Sequence, residues 1–537
     1  MPKSESVVVI RAEDIEYEDR LARIANQEDR SQSRLQAIRK NPWAFAWCLY
    51  AVWTILLVSV EDQASYNVLS IPQFRKDFGS SFEGNYVLAA SWQSAFSGAP
   101  IATRIIGALA AGQVADCIGR RNTLVVAIGL SLAAVTMEFV ATSKELFFGG
   151  KMLSGLAVAA IESVAPLALR GLTTALIAFS AGAGALTVAL IINSTGAYTT
   201  RWAYRAVFCS QFGFAAIAAS FVWFMPESPW WLLSKGQEEV ALKSLRRLGY
   251  TSSSGEDAKR LATIRVTLEE IRCETEGVTY FECFRKSNLR RTIVAIAPLS
   301  VEIFVGAIFT GLYSTYYAQL AGYSTTMSFR LLITQQVLSM VGNVLSWYLI
   351  ERVGRRNLTV YGTLALTFML WIMGGLAVGG SRGELRGAIA MVQIYSWVYS
   401  LTIGATAYTY LTEVATARLR VKTMAVGLAT QSCFGLLWSF VLPYLFNPDK
   451  ANLGGKVGFI FGGLAIPCFV FLWWLQPETA GRSYEELDEL FVKKVPARQF
   501  KTYTTEVEMK VVVLARRGGE QESTARRSGS SESDSPK

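Results

Sequence analysis

Twelve apolar blocks of roughly 18–25 residues punctuate this chain, and each can carry an α-helix across about 30 Å of hydrocarbon at 1.5 Å per residue. They fall at about 43–69, 88–115, 123–142, 147–169, 172–193 and 204–225, then at 292–320, 328–350, 358–379, 387–412, 424–446 and 457–475. Inside a bilayer each backbone amide must be paired within its own segment, so blocks of this length fold as helices. Charged residues make up 18% of the 537, against about 25% in soluble proteins. The pattern predicts an all-α membrane protein with twelve transmembrane helices. It excludes a soluble enzyme, a collagen-like chain and a disordered scaffold.

The net charge of +10 (52 Lys+Arg minus 42 Asp+Glu) fits basic loops beside an anionic leaflet rather than nucleic acid. Seven cysteines show no Cys-x-x-Cys spacing, so neither a disulfide framework nor a metal site is expected. No cofactor is implied, and no nucleophile–base pair or phosphate loop points to an enzyme. Histidine is absent, which removes the side chain that titrates nearest neutrality. Proton handling would therefore fall to carboxylates beside Lys or Arg.

The blocks divide the chain into a polar tail (1–42), a six-helix half (43–229), a hydrophilic loop (230–291), a second six-helix half (292–491) and a tail (492–537) expected to be disordered. A possible amphipathic helix lies at Asp14–Ile38, and no cleavable leader is expected. Basic residues flanking the first and seventh spans put both termini in the cytoplasm. The sequon at Asn193 then lies outside but close to the membrane, and the one at Asn357 lies inside; neither is expected to be used. Matched punctuation links the halves: Asp116-x-x-Gly119-Arg120-Arg121 ends span 2 and Glu351-x-x-Gly354-Arg355-Arg356 ends span 8. Pro166 to Arg170 and Glu413 to Arg420 likewise close spans 4 and 10. Two such hexads are the pseudo-repeat of a carrier that rocks about a midplane site.

These motifs, with Pro226-Glu227-Ser228-Pro229 after span 6 and Pro477-Glu478-Thr479 after span 12, resemble the sugar porter family of the major facilitator superfamily. Ile71-Pro72-Gln73-Phe74, Thr315-Tyr316-Tyr317 and Tyr444-Leu445-Phe446-Asn447-Pro448 resemble its fungal α-glucoside (maltose permease) branch. The resemblance implies a secondary carrier in the plasma membrane, working as a monomer and moving a sugar with a proton. Carboxylates beside guanidinium groups at the inner helix ends (Asp116, Arg120, Arg121; Glu351, Arg355, Arg356) suit a gate that forms in one state and breaks in another. By resemblance Arg170, Glu227, Glu413, Arg420 and Glu478 join it. Glu61 and Asp62 are carboxylates inside span 1, hence functional candidates; by resemblance Glu61 would pair with Lys151 and couple the proton. Glu302 takes the place of a sugar-binding Gln, and Tyr313, Tyr408 and Trp438 are candidates to stack on a ring, with helix packing as the plainer alternative. Glu138 and Arg104 read as structural.

Two departures matter. The family's polar sugar ligands align here with Ala178, Ala185, Ile303, Ile308 and Leu312, and its span 10 Trp with Tyr408. Span 4 is also short: Arg121 to Arg170 is 49 positions, whereas Arg356 to Arg420 is 64. A carrier of a less polar metabolite and a non-transporting membrane sensor thus stay open beside the sugar carrier.

Overall fold

The apolar blocks fold as helices in a computed structural model that describes residues 42–506 and 509, apart from 83, 165–172, 251–254, 276–278 and 417. The first half is built from α1 (Pro42–Asn67), short α2 (Pro72–Phe78), a hairpin of β1 (Ser80–Phe82) and β2 (Asn85–Val87), α3 (Ala90–Ile118), α4 (Arg120–Val140), α5 (Lys144–Val164), α6 (Thr173–Thr195) and α7 (Trp202–Val222). Three helices of the central loop follow, the short apolar α8 (Pro229–Ser234) and the polar α9 (Glu238–Arg247) and α10 (Glu256–Thr275). The second half comprises α11 (Lys286–Phe304), α12 (Ala307–Leu312), α13 (Ser314–Leu320), α14 (Thr325–Val353), α15 (Arg355–Gly379), α16 (Arg382–Leu401), α17 (Ile403–Val414), α18 (Arg420–Phe446) and α19 (Val457–Leu475), with α20 (Tyr484–Val492) behind it. Among the described residues, nine helical segments have the length and apolarity to cross a membrane. The expected fifth span is described as a shorter apolar helix, Phe179–Thr195. The seventh is cut into α11–α13, and α14 carries Arg330, Gln335, Gln336 and Asn343.

Both internal breaks have local causes. Gly306 adopts φ +89°, which an L side chain rarely tolerates, and it separates α11 from α12. The carbonyl freed at Val305 accepts the Tyr395 hydroxyl at 2.6 Å. Gln335 donates to the Thr310 carbonyl and to Ser396 Oγ, both at 2.8 Å, and accepts from Ser314 at 2.7 Å. A neighbouring helix thus supplies the partners that lipid cannot. Span 10 breaks at Thr402, between α16 and α17.

The repeated Gly-Arg-Arg loops have the same construction. Glu227 Oε1 accepts the Arg120 amide at 2.8 Å, and Glu478 Oε1 accepts the Arg355 amide at 2.9 Å. Each carboxylate thereby caps the unsatisfied amides that open the next helix. Gly119 and Gly354 sit beneath these caps at φ +93° and +92°, and a Cβ at either would run into the carboxylate.

The halves meet where α3 packs on α18 and α6 on α14. Hydrogen bonds cross between them at the end opposite the Gly-Arg-Arg loops: Ser94 Oγ to the Phe440 carbonyl at 2.9 Å, Asn447 Nδ2 to the Leu88 carbonyl at 3.0 Å, Ser97 Oγ with the Tyr313 hydroxyl at 3.2 Å, and Arg75 to Gln319 at 2.6 Å. Residues 495–505, expected to belong to a disordered tail, pack on the loop end of the second half. Phe500 and Thr505 are fully buried, Arg291 ion-pairs with Asp488, and Arg482 donates to the carbonyls of Phe500 and Tyr503. The physical reason is that Arg482 and Arg290, which donates to the Val495 carbonyl, bind backbone oxygens that composition cannot reveal.

Gly354→Ala and Gly119→Ala each combine a strained φ with a displaced cap. Each should lower stability by about 1–3 kcal/mol, read as a drop in the thermal midpoint of the detergent-solubilised protein.

Candidate functional site

Charged side chains from three helices of the first half converge on the junction of the halves. Arg104 on α3 donates from NH1 to Asp62 Oδ2 on α1 at 3.0 Å and from Nε to Glu162 Oε2 on α5 at 2.9 Å. A second contact to Glu162 makes that pair bidentate, the strongest arrangement guanidinium offers. About a third of each side chain stays exposed (31%, 32% and 37%), so the triad opens onto space rather than being sealed.

The second half answers with Glu302, in the last turn of α11 before the break. Its carboxylate accepts from the Tyr399 hydroxyl and from Gln431 Nε2 at 3.4 Å. Among the described residues no cation pairs with it. Tyr408 on α17 is half exposed and stands within electrostatic reach of Glu302, Glu162 and Arg104, with Gln431 beside it. Tyr408 therefore lies near both clusters. Such a site offers carboxylate lone pairs, a guanidinium edge and an aromatic face, which suits a solute rich in hydroxyl groups.

The other candidates are placed differently. Tyr313 is buried, and its hydroxyl is engaged with Ser97 at the closed end. Trp438 packs on Phe461 with ring centroids 4.6 Å apart, and its buried Nε1 has no partner among the described residues. Ile303 and Ile308 lie in the same apolar cluster, and Ala185 is buried in the first half.

A second network lies deeper in the first half. Lys151 is fully buried, and its ammonium contacts Glu138 Oε2 at 2.9 Å and Ser65 Oγ at 2.7 Å. Glu61 is buried beside it and accepts from Ser131 Oγ at 3.1 Å. The direct partner of Lys151 is thus Glu138, with Glu61 adjacent. Spacing alone did not settle this, because Glu61 on α1 and Glu138 on the neighbouring α4 both lie beside Lys151.

At the loop ends, Asp116 and Glu351 bind Arg120 and Arg355 one turn away at 2.8 and 3.1 Å and are largely exposed. The inter-helix ties are made by Glu227 and Glu478 to backbone amides, and by Glu413, which receives Arg355 at 3.3 Å and Thr479 Oγ1 at 2.7 Å. Arg121 donates to the Trp223 carbonyl at 2.6 Å and Arg356 to that of Gln476 at 2.9 Å. Arg420 lies over the Tyr484 ring at 4.3 Å. Arg170 lies outside the described residues. Among those described, Arg120 has no counterpart of Glu413. The acid nearest that position, Glu162, is drawn to Arg104.

Sequence reasoning singled out Glu302 and Tyr408 but missed their partners Tyr399 and Gln431, which lack a motif. The triad was visible only as three separate charges inside apolar blocks.

Removing one partner of a fully buried ion pair costs about 3–5 kcal/mol, and partial exposure should roughly halve that here. Arg104→Gln should therefore lower the thermal midpoint. The triple variant Asp62→Asn, Arg104→Gln, Glu162→Gln should recover most of the loss.

The sugar (and other) transporter family model matches residues 48–491. An α-glucosides permease of Saccharomyces cerevisiae is 31% identical over 503 residues, which cover 90% of this chain and 83% of the permease. A maltose permease of the same yeast is 30% identical over 502 residues, 90% of this chain and 81% of the permease. Among solved structures, the xylose transporter of E. coli in a partially occluded inward-open conformation superposes with a TM-score of 0.65 at 19% identity. That match covers 82% of this chain and 100% of the transporter.

Proposed function

As a member of the sugar transporter family of the major facilitator superfamily, this chain is a multi-pass membrane carrier, and we propose that it moves an α-glucoside-like sugar by alternating access together with a proton. The observation that supports this reading best is the lopsided contact between the halves. They are hydrogen-bonded at one end, while a two-sided polar site lies between them. A carrier with one gate shut has this arrangement, because its solute must be reachable from one side at a time.

With the basic loop ends in the cytoplasm, together with both termini, the shut gate is the outer one. In the plasma membrane the sugar would then leave toward the cell interior. Glu302 and Tyr408 would bind sugar hydroxyls, with the Tyr408 face against a ring. Tyr313 and Trp438 would cap the site toward the closed end. The Glu227, Glu413 and Glu478 ties, with Arg120, Arg121, Arg355, Arg356 and Arg420, would reorganise as the inner end closes. Glu61, next to the Lys151 ammonium, would carry the proton. A monomer contains every group this cycle uses.

Ile303 and Ile308, which stand where the family has polar sugar ligands, are packed into the apolar cluster of the second half, and this favours a second reading, a less polar solute in the same site.

In a host without its own α-glucoside carriers, the chain should accumulate labelled maltose, and a protonophore should abolish the accumulation. Glu302→Gln removes charge-assisted hydrogen bonds of about 1.5–3 kcal/mol and should raise the half-saturating concentration roughly tenfold or more. Uptake that ignores both maltose and longer α-glucosides while an apolar competitor is taken up would favour the second reading.

A further inference from the structure

Glu138 has no part in the cycle described above, yet it holds the one cation of a sealed cluster. Lys151 is 0% exposed, and Glu61 and Glu138 are each 1% exposed. The ammonium touches Glu138 Oε2 at 2.9 Å and Ser65 Oγ at 2.7 Å. The rings of Phe147 and Phe208 stand over it at 5.1 and 5.3 Å. Glu61 Oε2 accepts from Ser131, and Glu61 Oε1 has no partner among the described residues.

Among the described residues, the surrounding helices bring no second cation into the cluster. On α1, Asp62 is bound to Arg104 of α3, whose other partner is Glu162 of α5. On α7, Arg205 lies over the Phe139 ring, Tyr204 donates to Asp77, and the buried Gln211 carries no charge. The sequence of α6 holds no charged residue. Two carboxyl groups therefore share a single ammonium where water is excluded. An unneutralised charge is costly inside a membrane, so the cluster is neutral only when one carboxyl keeps a proton.

The geometry shows which one. Each carboxyl has one oxygen without a partner among the described residues, but the other oxygen of Glu138 holds the ammonium, whereas that of Glu61 holds only the Ser131 hydroxyl. We propose that Glu138 is the standing counter-ion of Lys151, a positioning residue that leaves Glu61 free to take up and release the transported proton. The step balances simply: when the helices around the cluster part and admit water, the Glu61 O–H bond breaks, the proton passes to that water, and the new carboxylate competes with Glu138 for the ammonium. Without Glu138, Lys151 would bind Glu61 permanently and hold it ionised. The inference rests on the proton-coupled reading under "Proposed function" but can be tested apart from it.

Two readouts on the full-length protein suffice. Infrared spectroscopy of the purified carrier at neutral pH should show a protonated carboxyl band that Glu61→Gln removes. Glu138→Gln should remove the same band, the double variant should lose nothing further, and Glu138→Asp should keep it. In uptake of labelled maltose, Glu138→Gln should shift the half-maximal pH downward by a unit or more, a tenfold change in proton concentration. Glu138→Asp should restore the wild-type profile, which a merely structural role would not predict. A Glu138→Gln protein that keeps the band overturns the proposal, whatever transport does. If the bands behave as expected but wild-type uptake shows no pH dependence, the assignment of Glu138 stands and the proton-coupled reading falls.

Discussion

A carboxylate that receives the first amides of a helix it does not belong to holds each half together. Glu227 does this for α4 and Glu478 for α15. The interaction is worth more than an ordinary hydrogen bond because it pairs a full charge with the positive end of a helix. It also fixes the angle between consecutive spans, since the glycine beneath it leaves no room for adjustment. With those corners set, the remaining helices of each half pack as one body, and the halves touch along α3 with α18 and α6 with α14.

Charge placement inside the membrane follows one logic throughout. A cation buried in a half is satisfied within that half, as with Arg104 by Asp62 and Glu162, Lys151 by Glu138, and Arg355 by Glu351 and Glu413. Glu302 instead relies on a phenol and an amide. The bonds across the interface are made by neutral groups, apart from Arg75. Neutral hydrogen bonds have a net worth of about 1 kcal/mol each, so, Arg75 aside, the interface can part without exposing a stranded charge. Bodies that are ionically stapled inside and lightly bonded outside are what rocking demands.

Much of this was readable from residues alone. The all-helical membrane fold, the approximate positions of most spans and the two Gly-Arg-Arg corners carry local signatures, because hydropathy and turn-forming glycines act over a few residues. The polar helices α9 and α10 fall in the hydrophilic loop where residues 236–248 and 258–276 are rich in helix-forming types. The partner choices were not readable. Whether Lys151 meets Glu61 or Glu138, and whether Arg104 meets one acid or two, depends on how the helices that carry them are rotated about their axes. Periodicity cannot fix that to within one turn. The breaks at Gly306 and Thr402 were missed as well, since an apolar run looks the same whether its helix is continuous or jointed.

The repeat is unequal in one respect. α5 is a single rod of 21 residues, while its counterpart, α16 with α17, spans Arg382 to Val414 with a joint at Thr402. A second joint, at Gly306, lies in the same half. Among the described residues these two mid-span joints both lie in the second half, which gives that half places to flex around a solute.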